Sequence, residues 1–263
     1  MIEKSEKSPI EVDMSNPESN RISPQFALWA KGFAGCDGGD IGSPSTPSIW
    51  FCGLEWGGGH DENSLSESIS SLASDVPYGY DHEDENTAYI FNRQIMKLIS
   101  AMHGGNVNEY EKFVTTLKPF VRGQAGFFKM NLFPIAFKNT DHGLWKTSFS
   151  NLTGIESKQR YLEWCREERF PILRSWVATY RPRAVICFGK SYSDDFKRAF
   201  SDLNVDFKRE DIGGRELSWA KNSNGTLVAI CPFPVNRNGL NSNALLQGFG
   251  SRLGSLADIA PLP

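Results

Sequence analysis

The chain lacks any apolar run long enough to cross a membrane. Its longest runs, such as residues 184–188, have the length of a β-strand, whereas a bilayer requires about 20 apolar residues. The N-terminus has no apolar segment of the kind found in secretory signals. We therefore expect a protein that is neither inserted into a membrane nor exported.

Cysteine is also scarce, with five residues and no CxxC pair. His60, His82, His103 and His142 are scattered without metal-ligand spacing, so we expect no metal and no cofactor. Cys52, Cys187 and Cys231 lie in apolar runs, where a free thiol behaves as a small hydrophobic side chain. This usage suits a reducing compartment and predicts a cytoplasmic protein.

The charge balance gives little support to a generic polyanion binder, because the net charge is −3. A local basic patch can still supply phosphate contacts, so DNA is not excluded as a partner. The length of 263 residues suits one α/β domain. Residues 1–24 are polar and predict a flexible N-terminal tail, followed by a single domain over residues 25–263, expected to be monomeric.

Four short apolar runs predict buried strands, at residues 48–52, 127–133, 184–188 and 227–231. Apolar residues at helical spacing predict a helix near residues 91–102, ended by Gly104-Gly105, and a second helical stretch over residues 161–180. Strands that alternate with helices indicate a parallel sheet covered on both faces. We therefore predict a three-layer α/β/α sandwich with a central four-stranded, mainly parallel sheet.

Ligands bind such sheets at the carboxyl ends of the strands, and the loops there contain unusual residues. The segment Gly53-Leu-Glu-Trp-Gly-Gly-Gly59 places the carboxylate of Glu55 in a glycine-rich turn, where it can orient or deprotonate a water molecule. A flexible loop with a solvated glutamate is the alternative. The segment has neither the Gly-Lys-Ser/Thr of a phosphate-binding loop nor the G-x-G-x-x-G dinucleotide spacing.

The other loops allow similar pairs of interpretations. Asn131 can present its amide to the edge of a base or can cap the next element. Lys190 and Ser191, after Gly189, can hold a phosphate or lie in an ordinary solvated turn. In the last loop, Leu240 can insert into a base stack or can be a buried anchor.

In their order along the chain, these segments resemble the motifs of the uracil-DNA glycosylase superfamily. The matching segments read GLEWG from residue 53, MNLFP from residue 130, RPRAVICFG from residue 181 and CPFPVNR from residue 231. The similarity spans about residues 45–250. It implies the fold of that superfamily and the excision of a base from DNA.

The resemblance also implies roles for individual residues. Glu55 is the catalytic residue, at the position where the family has its water-positioning Asp or Asn. Tyr78 is the first candidate for stacking on the extruded base, and Tyr80 is the second. The resemblance implies base contacts from Asn131, Tyr78, Trp56 and Tyr80, and DNA contacts from Gly57, Gly58, Lys190, Ser191, Asn236, Arg237 and Leu240.

Three departures from the family pattern matter. The iron–sulfur branches of the family need four cysteines, and although Cys165 lies near one family ligand position, the N-terminal CxxC pair is absent, so the resemblance implies no iron–sulfur cluster. The other two departures bear on the substrate. Glu55 is longer than the usual Asp, Trp56 replaces a proline, and Cys231 occupies the position of a histidine that stabilises the departing base. The glycine run at residues 57–59 and the acidic loop at residues 60–86 indicate a pocket roomier than one shaped for uracil. We therefore expect either uracil or a modified base, for example the glucosylated hydroxymethylcytosine of phage DNA, in a role in antiviral defence.

The expected reaction hydrolyses the N-glycosidic bond of an extruded nucleotide and leaves an abasic site. No lysine is assigned a lyase role, so we predict a monofunctional enzyme. Two other classes of function remain open. One is a catalytically inactive nucleic-acid-binding module with the same fold, and the other is a hydrolase of free nucleosides or nucleotides.

Overall fold

The computed structural model describes residues 21–55, 57–235 and 237–261. Most of the predicted tail, residues 1–20, therefore lies outside the described residues. The first helix, α1 (Pro24–Lys31), begins inside the stretch expected to be tail, because the Ser23 hydroxyl accepts a hydrogen bond from the amide of Phe26 and Pro24 occupies the first turn. Within the described residues, no helix is long and apolar enough to span a bilayer.

The structure contains a mixed seven-stranded sheet in the order β1-β3-β2-β4-β7-β6-β5. The strands are β1 (Cys36–Gly39), β2 (Ile49–Gly53), β3 (Phe127–Asn131), β4 (Ala184–Phe188), β5 (Lys208–Ile212), β6 (Arg215–Lys221) and β7 (Leu227–Cys231). The four predicted strands are present as β2, β3, β4 and β7. The prediction of a four-stranded sheet was wrong, because three more strands extend its two edges.

The strands β3, β2, β4 and β7 pair in parallel at the centre of the sheet, whereas the added strands pair antiparallel. All five residues of each central strand are buried, which explains the continuous apolar runs in the sequence. The edge strands β1 and β5 are short of apolar residues, and burial along them is partial. Their sequences therefore carry little strand signal.

Helices cover both faces of the sheet. They are α2 (Glu62–Ser70), α3 (Glu83–Thr87), α4 (Ile90–Met102), α5 (Tyr110–Leu117), α6 (Thr147–Thr153), α7 (Lys158–Trp164), α8 (Phe170–Tyr180), α9 (Ser193–Phe200) and α10 (Asn243–Leu256), besides α1. The helices α1, α2, α7, α8 and α9 pack on one face, and α4, α5 and α10 pack on the other. Because side chains alternate along a strand, neighbouring strand residues contribute to opposite cores.

The second predicted helical stretch is continuous from α7 to α8 through a π-helical turn, Cys165–Arg169. Arg169 in this turn is fully buried. Its guanidinium donates hydrogen bonds to the carbonyl oxygens of Leu132, Ala30, Gly32 and Ala34. One arginine thus joins the end of β3 to the segment between α1 and β1.

Candidate active site

Two cavities open beside the carboxyl ends of the parallel strands. The helix-side cavity, of about 620 Å³, lies between β3 and α4, and its lining includes Asp37, Tyr80, Phe91, Asn92, Lys129 and Asn131. The loop-side cavity, of about 650 Å³, lies among the loops that follow β2, β4 and β7. Glu55, Gly57 and Phe233 line both cavities. Both volumes fall within the range of about 300–1,000 Å³ that is typical of small-molecule sites.

The position of the loop-side cavity follows from the strand order. The chain leaves β2 toward β3 on one side of the sheet and leaves β4 toward β7 on the other. Between β2 and β4 the loops therefore diverge and leave a crevice, which is where open α/β sheets bind ligands. Leu54 and Glu55 from the first loop and Gly189 to Tyr192 from the second line this crevice.

Glu55 forms a buried ion pair with Lys158, the first residue of α7. Lys158 Nζ lies 3.2 Å from Glu55 Oε1 and 3.5 Å from Oε2. The side chain of Lys158 is fully buried, and that of Glu55 is 5% exposed. Lys158 also donates to the carbonyl of Asn139 and lies 3.8 Å from the centre of the Phe137 ring.

The environment of Glu55 favours its protonated form more than water does. Burial raises the pKa of its carboxyl to about 7, although the neighbouring Lys158 lowers it. Oε1 is buried and has no aligned hydrogen-bond donor among the described residues, which leaves its charge partly uncompensated. A carboxyl with a pKa near neutrality can accept or donate a proton at physiological pH.

Asn131 is the last residue of β3, and its side chain occupies space that Gly53 leaves free because it has no side chain. Its amide nitrogen donates to the carbonyl of Gly35, and Oδ1 lies 2.5 Å from the place that a Cβ of Gly53 would occupy. Any other residue at position 53 would therefore displace the Asn131 amide. Glycine at the start of the first motif makes room for the candidate base-reading side chain.

A second buried ion pair lies on the wall of the helix-side cavity. Lys129 Nζ lies 3.0 Å from Asp37 Oδ1 and donates to the Tyr80 hydroxyl at 3.1 Å. The Tyr80 hydroxyl donates to the same Asp37 oxygen, and Asn92 Nδ2 donates to the Tyr80 hydroxyl. Because Lys129 and Asn131 are two residues apart on β3, they lie on the same face of the sheet.

The structure separates the two stacking candidates. Tyr78 is 69% exposed, stacks with the guanidinium of Arg122 and does not line either cavity, whereas Tyr80 lines the helix-side cavity. Gly79, with φ +89°, stands between them, and a Cβ there would collide with the carbonyl of Phe120. This turn directs the two rings to different places. The structure therefore places Tyr80, and not the first candidate Tyr78, at a cavity, and stacking on a base stays a prediction.

Two residues of the last motif are buried in the core. Leu240 has no exposed surface, so the expectation of an exposed, inserting leucine is wrong for this conformation, and its alternative as an anchor holds. Cys231 is also fully buried, and burial raises its thiol pKa far above its ordinary value. Cys231 therefore lines neither cavity and is no substitute for the family histidine.

Gly58 lines the helix-side cavity, and the other remaining predicted residues lie around the loop-side cavity or outside the described residues. Lys190 and Ser191 line the cavity, and Lys190 pairs with Glu216 at 3.1 Å. Arg237 is exposed, and the next two residues along the chain, Asn238 and Gly239, line this cavity. Gly57 and Gly58 have open space around them. Trp56 and Asn236 lie outside the described residues.

The predicted loop at residues 60–86 contains two helices, α2 and α3. His60 is built into the structure, because its Nδ1 accepts from the amide of Ala136. Across residues 21–55, 57–235 and 237–261, no group of three or more His, Cys, Asp or Glu side chains could hold a metal ion.

Sequence reasoning missed Lys158, Asp37 and Phe233, and it left Lys129 without a role. Lys158 is 103 residues from its partner Glu55, and Asp37 is 92 residues from Lys129. No local spacing pattern links residues so far apart. Only Lys129 carried a signal, as a charged residue within an apolar run.

No protein-family model matches the chain, and no curated protein sequence matches it significantly. The reaction therefore has to be inferred from the geometry of the two cavities.

Proposed function

We propose that this chain is a monofunctional DNA glycosylase that hydrolyses the N-glycosidic bond of an extruded nucleotide. The observation that carries the proposal is the position of Glu55. Its buried carboxyl follows the central parallel strand β2 and lines both a cavity with Asn131 and a crevice bordered by cationic loops. This arrangement joins a pocket for a base to a path for the backbone of the nucleic acid.

In this proposal the helix-side cavity takes the extruded base. Asn131 provides hydrogen-bonding groups for the edge of the base, and the aromatic side chains of Tyr80, Phe91 and Phe233 provide apolar contact area. The cavity has about 620 Å³, which leaves room for a base with a substituent. A modified base, such as a glucosylated hydroxymethylcytosine, is therefore the substrate class to test beside uracil.

Glu55 acts in its ionised form. As the bond between C1′ and the base nitrogen lengthens, the bonding electrons move to the base and positive charge develops on the sugar. The Glu55 carboxylate stabilises this charge, orients a water molecule toward C1′ and accepts its proton. The products are a free base and an abasic sugar.

The departing base carries negative charge and needs a cation or donor nearby. Lys129 is suited to this role, because it lines the same cavity as Asn131 and its pKa is raised despite burial. Burial lowers the pKa, but the Asp37 carboxylate and the Tyr80 hydroxyl more than offset that effect. The ammonium of Lys129 thus takes the place of the histidine that the family has at the position of Cys231.

The loop-side cavity is the proposed path of the sugar–phosphate backbone. Lys138, Lys190 and Arg215 line it, and such side chains supply the phosphate contacts of nucleic-acid-binding proteins. The two helical layers on a mixed sheet with parallel central strands accord with the three-layer arrangement of the uracil-DNA glycosylase superfamily. That likeness in fold is part of the proposal.

The test is a base-release assay on duplex and single-stranded DNA that contains uracil, hypoxanthine, methylcytosine, hydroxymethylcytosine or its glucosylated form. Alkaline cleavage reveals abasic sites. We expect wild-type protein to act on at least one substrate, and Glu55→Gln to lower the rate about 10²–10⁴-fold with DNA binding retained.

A control variant checks the specificity of the Glu55 effect, and two further outcomes of the assay would favour the alternative functions. Glu163→Gln changes an exposed glutamate of α7 that pairs with Arg160, and it should leave base release unchanged. DNA binding without base release from any substrate would favour the inactive binding module. Release of base from free nucleosides, but not from DNA, would favour the small-molecule hydrolase.

A further inference from the structure

Lys158 contacts the carboxylate of Glu55, the candidate catalytic residue, from the interior of the protein. It lines neither cavity, and its side chain is fully buried. Its ammonium reaches Glu55, the carbonyl of Asn139 and the face of the Phe137 ring. All three of these residues line the loop-side cavity, and Glu55 is the ionisable one among them, so Lys158 influences the charge at the cavity through Glu55.

Three further titratable groups that interact electrostatically with Glu55 are neutral near pH 7. Tyr161 and Cys165, on α7 and the π-helical turn, and Tyr192, after β4, all interact electrostatically with Glu55. Burial raises the pKa of all three, and that of Cys165 reaches about 12. Asp141 acts on Lys158 and favours its charged form.

We propose that Lys158 is a positioning residue that holds the Glu55 carboxylate ionised and turned toward the two cavities around neutral pH. Only the kinetic test of this inference rests on the proposed function, whereas the titration of Glu55 is independent of it. Burial favours the neutral form of a carboxyl, and a neighbouring cation opposes that preference. Without Lys158, Glu55 would be protonated over a wider pH range and would lose its power to stabilise a cationic sugar.

In the wild-type protein the hydrogen bond to the Asn139 carbonyl fixes the position of the Lys158 ammonium, and three variants separate its charge from this bond. Lys158→Met removes the charge and keeps the volume of the side chain. Lys158→Arg keeps the charge, and Lys158→Gln keeps a donor for the Asn139 carbonyl without the charge. Lys112→Met is the matched control, because Lys112 pairs with Glu109 while being 76% exposed.

The deciding experiment is a ¹³C NMR titration of the Glu55 side-chain carboxyl in the full chain without DNA. The Glu55→Gln variant assigns the signal. We expect a wild-type midpoint near pH 7, following the Glu55 pKa of about 7. Loss of a cation at this distance moves a carboxyl midpoint by about 1–3 pH units, so Lys158→Met should shift it upward by that amount, whereas Lys158→Arg and Lys112→Met should not.

The pH profile of base release gives the second readout. The wild-type rate should rise with pH as Glu55 ionises, and Lys158→Met should move this rise to higher pH, so that its activity recovers in alkaline buffer. An equal loss of rate at every pH would indicate a structural role and overturn the proposal.

The two readouts separate the two hypotheses. An unchanged Glu55 midpoint in a folded Lys158→Met or Lys158→Gln protein would overturn the positioning role, whatever the activity. A shifted midpoint in a protein that releases no base from any DNA would leave the positioning of Glu55 supported and the glycosylase proposal refuted. Lys158→Gln replaces Lys158→Met if the latter does not fold.

Discussion

The site contains two buried lysine–carboxylate pairs of similar length, and they behave differently. Lys158 lies 3.2 Å from Glu55, and Lys129 lies 3.0 Å from Asp37. The pKa of Lys158 is lowered, chiefly by burial, whereas the pKa of Lys129 is raised. Distance between the charged groups therefore does not decide how firmly a buried pair keeps its charges.

The difference lies in the hydrogen bonds around each carboxylate. Asp37 Oδ1 accepts from both Lys129 and Tyr80, and the Tyr80 hydroxyl is itself held by Asn92. Glu55 has a single long hydrogen bond from Lys158. Each carboxylate has one oxygen without an aligned donor, Glu55 Oε1 and Asp37 Oδ2, so the two pairs differ in the number of donors to the other oxygen. Charged buried groups need several hydrogen bonds to offset their lost hydration. The Asp37 pair is better satisfied, and the Glu55 pair keeps a group that exchanges a proton near neutrality.

The largest expected effect comes from breaking each pair in turn at pH 6. Lys129→Met should lower the free energy of unfolding by about 3–5 kcal/mol, because it leaves a buried carboxylate without its cation. Lys158→Met should cost only about 1 kcal/mol, since Glu55 is then largely protonated. Urea unfolding monitored by circular dichroism measures both values.

The sign of the pH dependence supplies the check on this comparison. The Glu55 carboxyl has an ordinary pKa of 4.5 and a folded-state pKa of about 7, so the folded protein binds more protons between these values. Its contribution to stability therefore decreases as pH rises through that window. In Lys158→Met the decrease should continue to higher pH. Equal losses for the two lysine variants at pH 6 would contradict the comparison.

Replacing both members of each pair should sharpen the contrast. The double variant Glu55→Gln/Lys158→Met should be as stable as wild type or more stable by about 1–4 kcal/mol, because it removes two poorly satisfied buried charges. Asp37→Asn/Lys129→Met should instead lose about 1–3 kcal/mol, since Tyr80 loses hydrogen-bond partners. Thermal unfolding at neutral pH compares them. A loss of stability in the first double variant would show that the Glu55 pair stabilises the fold.

The smallest expected effect concerns a single hydroxyl. Tyr80→Phe should lower the free energy of unfolding by about 1–3 kcal/mol, because Asp37, Lys129 and Asn92 each lose a partner. Tyr78→Phe is the matched control and should change it by less than about 0.5 kcal/mol, since Tyr78 is 69% exposed. Denaturant unfolding under the same conditions measures both. If the two variants lose similar amounts of free energy of unfolding, the Tyr80 hydroxyl does not stabilise the Asp37–Lys129 pair.

The centre of the fold was predictable because its strands are buried on both faces. A run such as 184–188 is apolar throughout, and burial of that kind leaves a direct trace in the sequence. The outer strands β5 and β6 contain charged residues and are only partly buried, so apolar runs do not reveal them. Gly213-Gly214 between them forms a two-residue hairpin turn, and a glycine pair of this kind is a sequence signal for a β-hairpin.

Only those site residues that lie at or just after the ends of the central strands could be predicted from the sequence. Glu55, Asn131 and Lys190 lie directly after or at the ends of central strands, which is why their loops could be singled out. Lys158 and Asp37 reach the site from other elements through tertiary packing. Leu240 looked exposed between polar neighbours, yet it is buried in the core cluster to which α4 and α10 contribute. No local pattern distinguishes an exposed leucine from a buried one in such a loop.

The buried guanidinium of Arg169 has a consequence for how the protein opens. It binds carbonyls at Ala30, Gly32 and Ala34 together with that of Leu132, and the neighbouring Gly35 carbonyl holds the amide of Asn131. If local opening moves one of these carbonyls away, the buried guanidinium loses a hydrogen-bond partner, which is energetically costly. The backbone amides near residues 30–36 and 131–133 should therefore exchange with deuterium as one cooperative unit, so that Asn131 keeps its orientation until that whole unit opens.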